Sequence, residues 1–203
     1  MQEVESEKRL WNLIEKRLAQ NSNKELIDKE IWDRFGEDFC VMFTDLSGFS
    51  RMVEKFGIIH FLQTIYESKR LLFPIIEKND GVILKIEGDS FLVTFKDPNK
   101  ALKSSIEMQK LLKEYNKDKD DEEKVLLCIG LGYGKILKIS ENDVYGAEVN
   151  AASKLGEDTA KSWEILVTES FLENINKDDN ISFKEIREIP SGAKKAYKTI
   201  YDL

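Results

Sequence analysis

The sequence contains little cysteine, histidine or proline. Its 203 residues include two cysteines, one histidine and three prolines. Cys40 and Cys128 each lie inside an apolar, strand-like run, which favours buried free thiols over a disulfide. The histidine, His60, falls in an apolar helical segment, where we expect a structural role rather than a catalytic one. None of these three side chains is therefore a candidate for the functional site.

Long apolar runs and an excess of basic residues are also missing. No apolar stretch approaches the ~20 residues that span a bilayer, and the acidic N-terminus lacks the apolar core of a signal peptide. The net charge is −7, with lysine and arginine interspersed among aspartate and glutamate, so no basic face for nucleic acid is indicated. At 41% hydrophobic and 34% charged residues, the composition is that of a globular protein, and we expect a cytoplasmic location.

The length suits one domain of about 170 residues preceded by an extension. Residues 3–20 and 24–34 place apolar side chains at helical spacing, and Asn23 is positioned to cap the second helix. We therefore divide the chain into a helical extension, residues 1–35, and a domain, residues 36–203. The extension either covers the domain's own surface or acts as a dimer or regulatory helix. We favour an extension that packs against protein over a free regulatory arm.

The first segment of functional interest follows the apolar run Phe39–Phe43, which is typical of a buried strand. The run is followed closely by Asp45, then by a Ser47-Gly48 turn and a helix over 50–56. A strand that ends on a carboxylate and turns into a helix exposes several backbone N–H groups beside that carboxylate. Such a site suits a metal-bound polyphosphate. A simple turn, with Asp45 as a helix N-cap, is the alternative.

Two further segments carry chemistry. Residues 81–95 contain two runs of β-branched and aromatic residues around Gly88-Asp89, which predicts a hairpin with a carboxylate at its tip. Residues 143–155 begin with Asp143 and place Asn150 and Lys154 four positions apart on a predicted helix, and therefore on one face.

The remaining pattern predicts the fold. Helices are expected over 58–78, 98–115, 146–160 and 169–175, and strands over 125–139, 165–168, 181–189 and 196–203. The strand over 125–139 has glycine at three alternate positions, 130, 132 and 134, so another backbone can approach its bare face. The order β-α-α-β-β-α-β, followed by a smaller α/β tail, predicts a ferredoxin-like α+β sandwich.

Together the three segments resemble the catalytic domain of class III adenylyl and guanylyl cyclases. The family pattern is F-x-D-[IL]-x-G-F, then K-x-x-G-D, then D-x-x-G-x-x-V-N-x-A-[SA]-R. This chain matches the first at Phe43–Phe49, the second at Lys85–Asp89 and most of the third at Asp143–Lys154. The resemblance covers roughly residues 36–203, and three motifs in order are far more specific than any one of them.

The resemblance implies a metal and phosphate site. Asp45 and Asp89 would be the two aspartates that bind two Mg²⁺ or Mn²⁺ ions, with the carbonyl of Leu46 as a further ligand. Oxygen ligands of this kind suit Mg²⁺, which keeps several waters. The N–H groups of Ser47, Gly48 and Phe49 would hold the triphosphate. A lysine near the C-terminus would bind the terminal phosphates, and Lys194 or Lys195 is a candidate although the local alignment is imperfect.

The resemblance also implies a purine and ribose site. Lys85 and Asp143 match the family positions that contact the base. A lysine donor suits a ring nitrogen of adenine, and a carboxylate accepts from its amine, so the pair indicates ATP. Asn150 matches the asparagine that orients the ribose. Lys154 replaces the arginine that stabilises the α-phosphate, and this loses the planar, bidentate fork.

The expected function is a homodimeric adenylyl cyclase that forms cyclic AMP and pyrophosphate from ATP by a two-metal mechanism at shared sites. The alternative is a catalytically degenerate cyclase-homology domain that binds nucleotide or a partner as a regulator. The lysine at position 154 and the unassigned phosphate lysine favour the alternative. The intact carboxylates and base contacts favour the enzyme.

Overall fold

The computed structural model describes residues 2–139 and 143–203, and within them the side chains of all but residues 2–4 and 49–52. The helices are α1 (Gln2–Leu18), α2 (Lys24–Phe35), α3 (Phe49–Phe56), α4 (Ile58–Lys78), α5 (Pro98–Tyr115), α6 (Ala147–Ser153) and α7 (Glu169–Glu173). The strands are β1 (Gly36–Leu46), β2 (Val82–Glu87), β3 (Ser90–Phe95), β4 (Leu127–Lys138), β5 (Val144–Tyr145), β6 (Ile165–Thr168), β7 (Ser182–Glu185) and β8 (Ala196–Ile200).

One sheet organises the domain, in the order β2-β3-β1-β4-β6-β8-β7, with β5 paired to β4 beside this path. Strand β1 is antiparallel to both β3 and β4, and β4 is parallel to β6. The segment from β1 to β4 has the order β-α-α-β-β-α-β. The predicted ferredoxin-like α+β sandwich is therefore confirmed.

The two faces of β1 belong to two different apolar clusters, because successive side chains of a strand point to opposite faces. Cys40 and Met42 pack in the larger cluster, with residues of α4 and α5. Phe39, Val41 and Phe43 contact the smaller cluster on the other face, which includes residues of α6. Asp45 follows Phe43 by two positions and so shares the face that α6 covers.

Glycines of β4 set how closely α6 approaches the sheet. A Cβ built on Gly130 would meet the carbonyl oxygen of Ala152 at 2.2 Å and the nitrogen of Gly156 at 2.4 Å. A Cβ on Gly132 would meet the carbonyl oxygen of Glu148 at 2.7 Å. The backbone therefore fills the space that side chains would need, as the glycine spacing predicted.

The helix predicted over 146–160 changes character partway along. Helix α6 ends at Ser153, and residues Lys154–Thr159 form a turn of π-helix. The wider turn brings Gly156 against β1, where an added Cβ would lie 2.6 Å from the carbonyl oxygen of Phe43. Asn150 and Lys154 therefore lie on consecutive helical segments rather than on one regular helix. The last two predicted strands are also shorter than expected, as β7 and β8.

The N-terminal extension packs on the domain's own surface. Leu10 and Leu13 of α1 and Ile31 and Phe35 of α2 form a buried cluster with Ile139, next to the end of β4. The Asn23 side chain accepts a hydrogen bond from the Leu26 N–H at 3.1 Å, which confirms the predicted N-cap. None of the helices in the described ranges is both long and apolar enough to cross a membrane.

Both cysteines are buried free thiols, as predicted. Cys40 belongs to the larger cluster, whereas Cys128 pairs with Asp45 across β1 and β4. Burial raises the pKa of the Cys128 thiol to about 12, and the neighbouring Asp45 charge adds to this rise. Both thiols therefore stay protonated and pack as small apolar side chains.

Candidate functional site

The site begins where β1 ends between β3 and β4. The register pairs Thr44 with Phe91, so Asp45, the next residue of β1, comes close to Asp89 at the tip of the β2-β3 hairpin. The Ser90 hydroxyl donates to Asp45 Oδ1 at 3.3 Å, and the Phe91 N–H donates to the Thr44 hydroxyl at 3.2 Å. Strand pairing and side-chain hydrogen bonds thus bring together two carboxylates that are far apart in the sequence.

Both carboxyl groups have raised pKa values. Burial, followed by the charge of Asp89, raises the pKa of Asp45 to about 7. Burial also raises the pKa of Asp89, although the N–H groups of Asp89 and Leu46 donate to its carboxylate and oppose the rise. A buried and a half-buried carboxylate that repel each other require a proton or a cation to offset their charge.

Asp89 has an unsatisfied oxygen. Its side chain is 8% exposed, and Oδ2 has no hydrogen-bond partner within residues 2–139 and 143–203. Buried polar atoms are nearly always satisfied by protein, water or an ion. The donor set fits a hard divalent cation, which two carboxylates and ligands from a substrate can hold. No cluster of three or more acidic, cysteine or histidine residues suited to a metal occurs in the described part of the chain.

The turn after Asp45 differs from the expectation in one respect. The Ser47 N–H donates to the Leu126 carbonyl at 2.8 Å, so this N–H is already used within the fold. Gly48 follows in the left-handed region, with φ of 90°, a conformation that glycine adopts without strain. Phe49 then begins α3. The N–H groups of Gly48 and Phe49 are therefore better candidates for binding an anion than that of Ser47.

A second part of the site is a cavity of about 150 Å³ on the same face of the sheet. Its lining residues are Phe43, Lys85, Glu87, Ser90, Leu92, Asp143, Val144, Val149 and Glu157. The cavity brings the predicted base contacts, Lys85 and Asp143, together from β2 and from the residue before β5. It lies beside the carboxylate pair, since Ser90 both lines it and donates to Asp45.

Hydrogen bonds hold the charged groups of the cavity in place. Lys85 Nζ lies 2.5 Å from Glu87 Oε1, which raises the pKa of Lys85. Asp143 Oδ1 accepts from the Val144 N–H at 3.0 Å, and Oδ2 accepts from the Tyr145 hydroxyl at 3.3 Å. Both base-contact candidates are therefore oriented before any ligand binds.

The other candidates are exposed. Asn150 and Lys154 both face solvent, and no ion pair to Lys154 occurs among the described residues. Lys195 lies just before β8, and its ammonium group is 3.6 Å from a carboxylate oxygen of Glu169. Strands β4 and β6 separate β8 from β1 in the sheet, about 14 Å at typical strand spacing. The fold of one chain therefore does not bring Lys195 to Asp45.

Sequence reasoning missed two acidic residues of the cavity, Glu87 and Glu157. Glu87 follows Lys85 by two positions, so strand alternation alone could have placed it on the same face. Glu157 has no such signal, because it reaches the cavity from the π-helical turn. It accepts from the Ser153 hydroxyl at 2.5 Å, and its charge adds to the rise in the pKa of Asp45.

These features define an α+β domain with a partly buried carboxylate pair beside a charged cavity. The sequence matches the adenylate and guanylate cyclase catalytic domain over residues 34–201. The chain belongs to this family.

Two curated relatives match part of the chain. It is 23% identical over 144 residues to a Rhizobium meliloti (strain 1021) protein named "Putative adenylate cyclase 3", a match that covers 71% of this chain and 24% of that protein. It is 23% identical over 134 residues to the serine/threonine-protein kinase pkn2 of Myxococcus xanthus, covering 66% of this chain and 16% of the kinase. The matches thus span about a quarter or less of each relative.

Solved structures share the fold. The adenylate/guanylate cyclase/hydrolase from Silicibacter pomeroyi has a TM-score of 0.69 at 22% identity, with 83% of this chain and 99% of that chain covered. The adenylyl cyclase CyaB from P. aeruginosa has a TM-score of 0.68 at 21% identity, covering 83% and 96%. The guanylyl cyclase Cya2 has a TM-score of 0.66 at 18% identity, covering 82% and 93%.

Proposed function

We propose that this chain is an adenylyl cyclase that converts ATP to 3′,5′-cyclic AMP and pyrophosphate. The observation that carries the proposal is the unpartnered, buried Oδ2 of Asp89. It belongs to a carboxylate pair that adjoins a cavity lined by Lys85 and Asp143. A metal-phosphate site and a base site are both needed for nucleotide cyclisation, and a binding module without catalysis has no physical need for all four residues.

Asp45 and Asp89 would hold two Mg²⁺ or Mn²⁺ ions, with the Leu46 carbonyl as a further ligand. Bound divalent ions would neutralise phosphate charge and favour the ionised 3′-hydroxyl. The raised pKa values of both aspartates support this role, because a cation replaces the proton that the pair otherwise retains.

Lys85 and Asp143 would bind adenine. The Lys85 ammonium donates to a ring nitrogen, and the Asp143 carboxylate accepts from the exocyclic amine. Asp143 is already oriented by the Val144 N–H and the Tyr145 hydroxyl, which reduces the entropy lost when the base binds. The base would thereby fix the position of the ribose relative to the phosphates.

Four further residues would contact the ribose and the phosphates. Asn150 would orient the ribose, and the N–H groups of Gly48 and Phe49 would hold phosphate oxygens. Lys154 would place its positive charge near the α-phosphate, where charge develops in the transition state. Phosphoryl transfer depends mainly on such positioning and charge neutralisation. A single ammonium lacks the bidentate geometry of arginine, so we expect low turnover.

The active unit would be a homodimer with two shared sites. Each chain would contribute its metal-binding pair, Asp45 and Asp89, to one site, and its base, ribose and phosphate residues to the other site across a two-fold interface. Those residues are Lys85, Asp143, Asn150, Lys154 and Lys195. Asp45→Ala and Lys85→Glu proteins should each be inactive alone. Mixing them should restore activity toward half the wild-type value per heterodimer, because one of its two sites then carries neither change. No recovery, with subunit exchange demonstrated separately, would refute the shared site.

A specific observation favours the alternative, a nucleotide-binding regulatory domain without turnover. The candidate phosphate residue, Lys195, is paired with Glu169, and lysine occupies position 154. The experiment that separates the two functions is incubation of the pure protein with ATP and Mn²⁺, followed by chromatographic separation of cyclic AMP. Asp89→Ala is the matched control. Nucleotide binding without any product in the wild-type protein would establish the regulatory alternative.

A further inference from the structure

The cavity contains more negative charge than recognition of adenine requires. Its lining includes one cation, Lys85, and three carboxylates, those of Glu87, Asp143 and Glu157. Adenine presents a single amine donor beside its ring-nitrogen acceptor, and Asp143 with Lys85 already satisfies both. At least one carboxylate is therefore available for another purpose.

Glu87 is the carboxylate that combines a free oxygen with direct contact to Lys85. Both oxygens of Asp143 already accept hydrogen bonds. Glu157 accepts from Ser153 through one oxygen and makes no ion pair with Lys85 in the described part of the chain. Glu87 Oε1 contacts Lys85 Nζ at 2.5 Å, whereas its Oε2 has no partner in the described part of the structure. The second oxygen of Glu87 is thus open to a donor on a bound base.

The local fold directs Lys85 and Glu87 to the cavity together. The register of β2 and β3 passes from Ile83 opposite Val93 to Lys85 opposite Leu92, so Leu84 is the extra residue of a β-bulge. Beyond the bulge, Lys85 lies opposite Leu92 and Glu87 opposite Ser90, and both partners line the cavity. The ammonium and the carboxylate therefore form an adjacent donor and acceptor on one wall.

An adjacent donor and carboxylate match the edge of guanine. That edge presents one acceptor, O6, followed by two donors, N1–H and the N2 amine. A lysine can donate to O6, while the two oxygens of a carboxylate can accept from N1–H and N2–H.

We propose that Glu87 is a specificity-determining residue that admits guanine nucleotides to this cavity alongside adenine nucleotides. In the guanine complex, Lys85 donates to O6 and Glu87 accepts from N1–H and N2–H. In the adenine complex, Lys85 and Asp143 make the base contacts and Glu87 only holds Lys85. This rests on the proposed function, since it assigns the base contacts of the same site.

The test compares kcat/KM for ATP and GTP, with Mn²⁺, in wild-type protein, Glu87→Gln and Glu77→Gln. Glu77 lies on the exposed surface of α4, outside the cavity, so its variant reproduces the change in net charge. The amide introduced by Glu87→Gln keeps one acceptor and turns the other into a donor that opposes guanine. We expect Glu87→Gln to lower GTP use relative to ATP use by about tenfold or more, with no such change in the control.

The ratio of the two purines separates this role from a merely structural one. Loss of the ion pair to Lys85 would weaken ATP and GTP use equally and leave the ratio unchanged. An unchanged ratio in Glu87→Gln would overturn the proposal, as would wild-type protein that cyclises ATP but not GTP.

Absence of product from both nucleotides would refute the proposed cyclase activity but would still leave the base contacts testable. Displacement of a fluorescent ATP analogue by GTP then tests whether Glu87 contacts guanine. GTP should displace the analogue from the wild-type protein and from Glu77→Gln, and at least about tenfold more weakly from Glu87→Gln. Failure of GTP to compete with the analogue on the wild-type protein would overturn the assignment of Glu87.

Discussion

The close contact between β4 and the backbone of α6 predicts a large effect from the smallest possible substitution, Gly130→Ala. The new Cβ would lie 2.2 Å from the Ala152 carbonyl oxygen and 2.4 Å from the Gly156 nitrogen. Non-bonded heavy atoms normally approach to about 3.5 Å, so the strand and the helix must separate by roughly 1 Å. Because both neighbours are backbone atoms, no side-chain rotation can relieve the clash.

The expected loss in the free energy of unfolding follows from the known effects of overpacking a protein core. Adding a methyl group to a tightly packed site costs about 1–3 kcal/mol, and rigid neighbours place this site at the upper end. Replacing glycine also restricts the unfolded chain, which favours folding by about 0.4–1 kcal/mol. We therefore expect the free energy of unfolding to fall by about 2–3 kcal/mol.

Gly134→Ala on the same strand is the matched control. Its Cβ would first meet the Glu148 side-chain Cγ at 3.2 Å and then Ser170 Oγ at 3.9 Å, and both are side-chain atoms that can move. We expect a change within about 1 kcal/mol. Urea unfolding followed by circular dichroism measures both variants. With a slope of about 2 kcal/mol/M, Gly130→Ala should lower the midpoint by roughly 1 M. Equal midpoints for the two variants would refute the argument from backbone approach.

Two other predictions concern the site. Asp45→Asn should be more stable than the wild-type protein at pH 8 in EDTA, by an amount that shrinks as the pH falls toward 4. Burial raises the pKa of Asp45 from 3.8 to about 7. Between these pH values the folded wild-type protein binds a proton that the unfolded chain does not, so its stability falls as the pH rises from about 4 to about 7. Parallel pH profiles of thermal unfolding for the wild-type protein and Asp45→Asn would contradict this. Lys154→Arg should raise kcat several-fold, because a guanidinium can donate two parallel hydrogen bonds to the α-phosphate. An unchanged or lower initial rate of cyclic AMP formation would mean that the site is built around lysine.

Local periodicity was sufficient for the long elements. The apolar spacing predicted α4 over Ile58–Lys78, and the structure has the same bounds. The Gly88-Asp89 turn was equally clear from the sequence, and in the structure Gly88 adopts a φ of 60°. These features depend on residues close in sequence, so a single sequence contains the information that defines them.

Two features that depend on distant contacts were not predicted. The π-helical turn at Lys154–Thr159 follows from the packing of Gly156 against Phe43 and Gly130, and nothing in its local composition indicates it. The Ser47 N–H is used because Leu126, far along the chain, places its carbonyl 2.8 Å away. The resemblance to a family supplied the candidate residues of the site, but not which of their hydrogen-bonding groups the fold itself uses.

The cluster that joins the N-terminal helices to the end of β4 affects how the protein can be shortened. The family match begins at residue 34, within α2, although Leu10, Leu13 and Ile31 are buried against Ile139. Removing the helices would forfeit the stabilisation that comes from burying each of these side chains, about 1.5–3 kcal/mol. The uncovered end of β4 is also the segment that pairs with β5, directly after Asp143. A chain trimmed to the family boundary would thus lose stability and also support for the cavity that Asp143 lines, and low activity in it would say little about the intact protein.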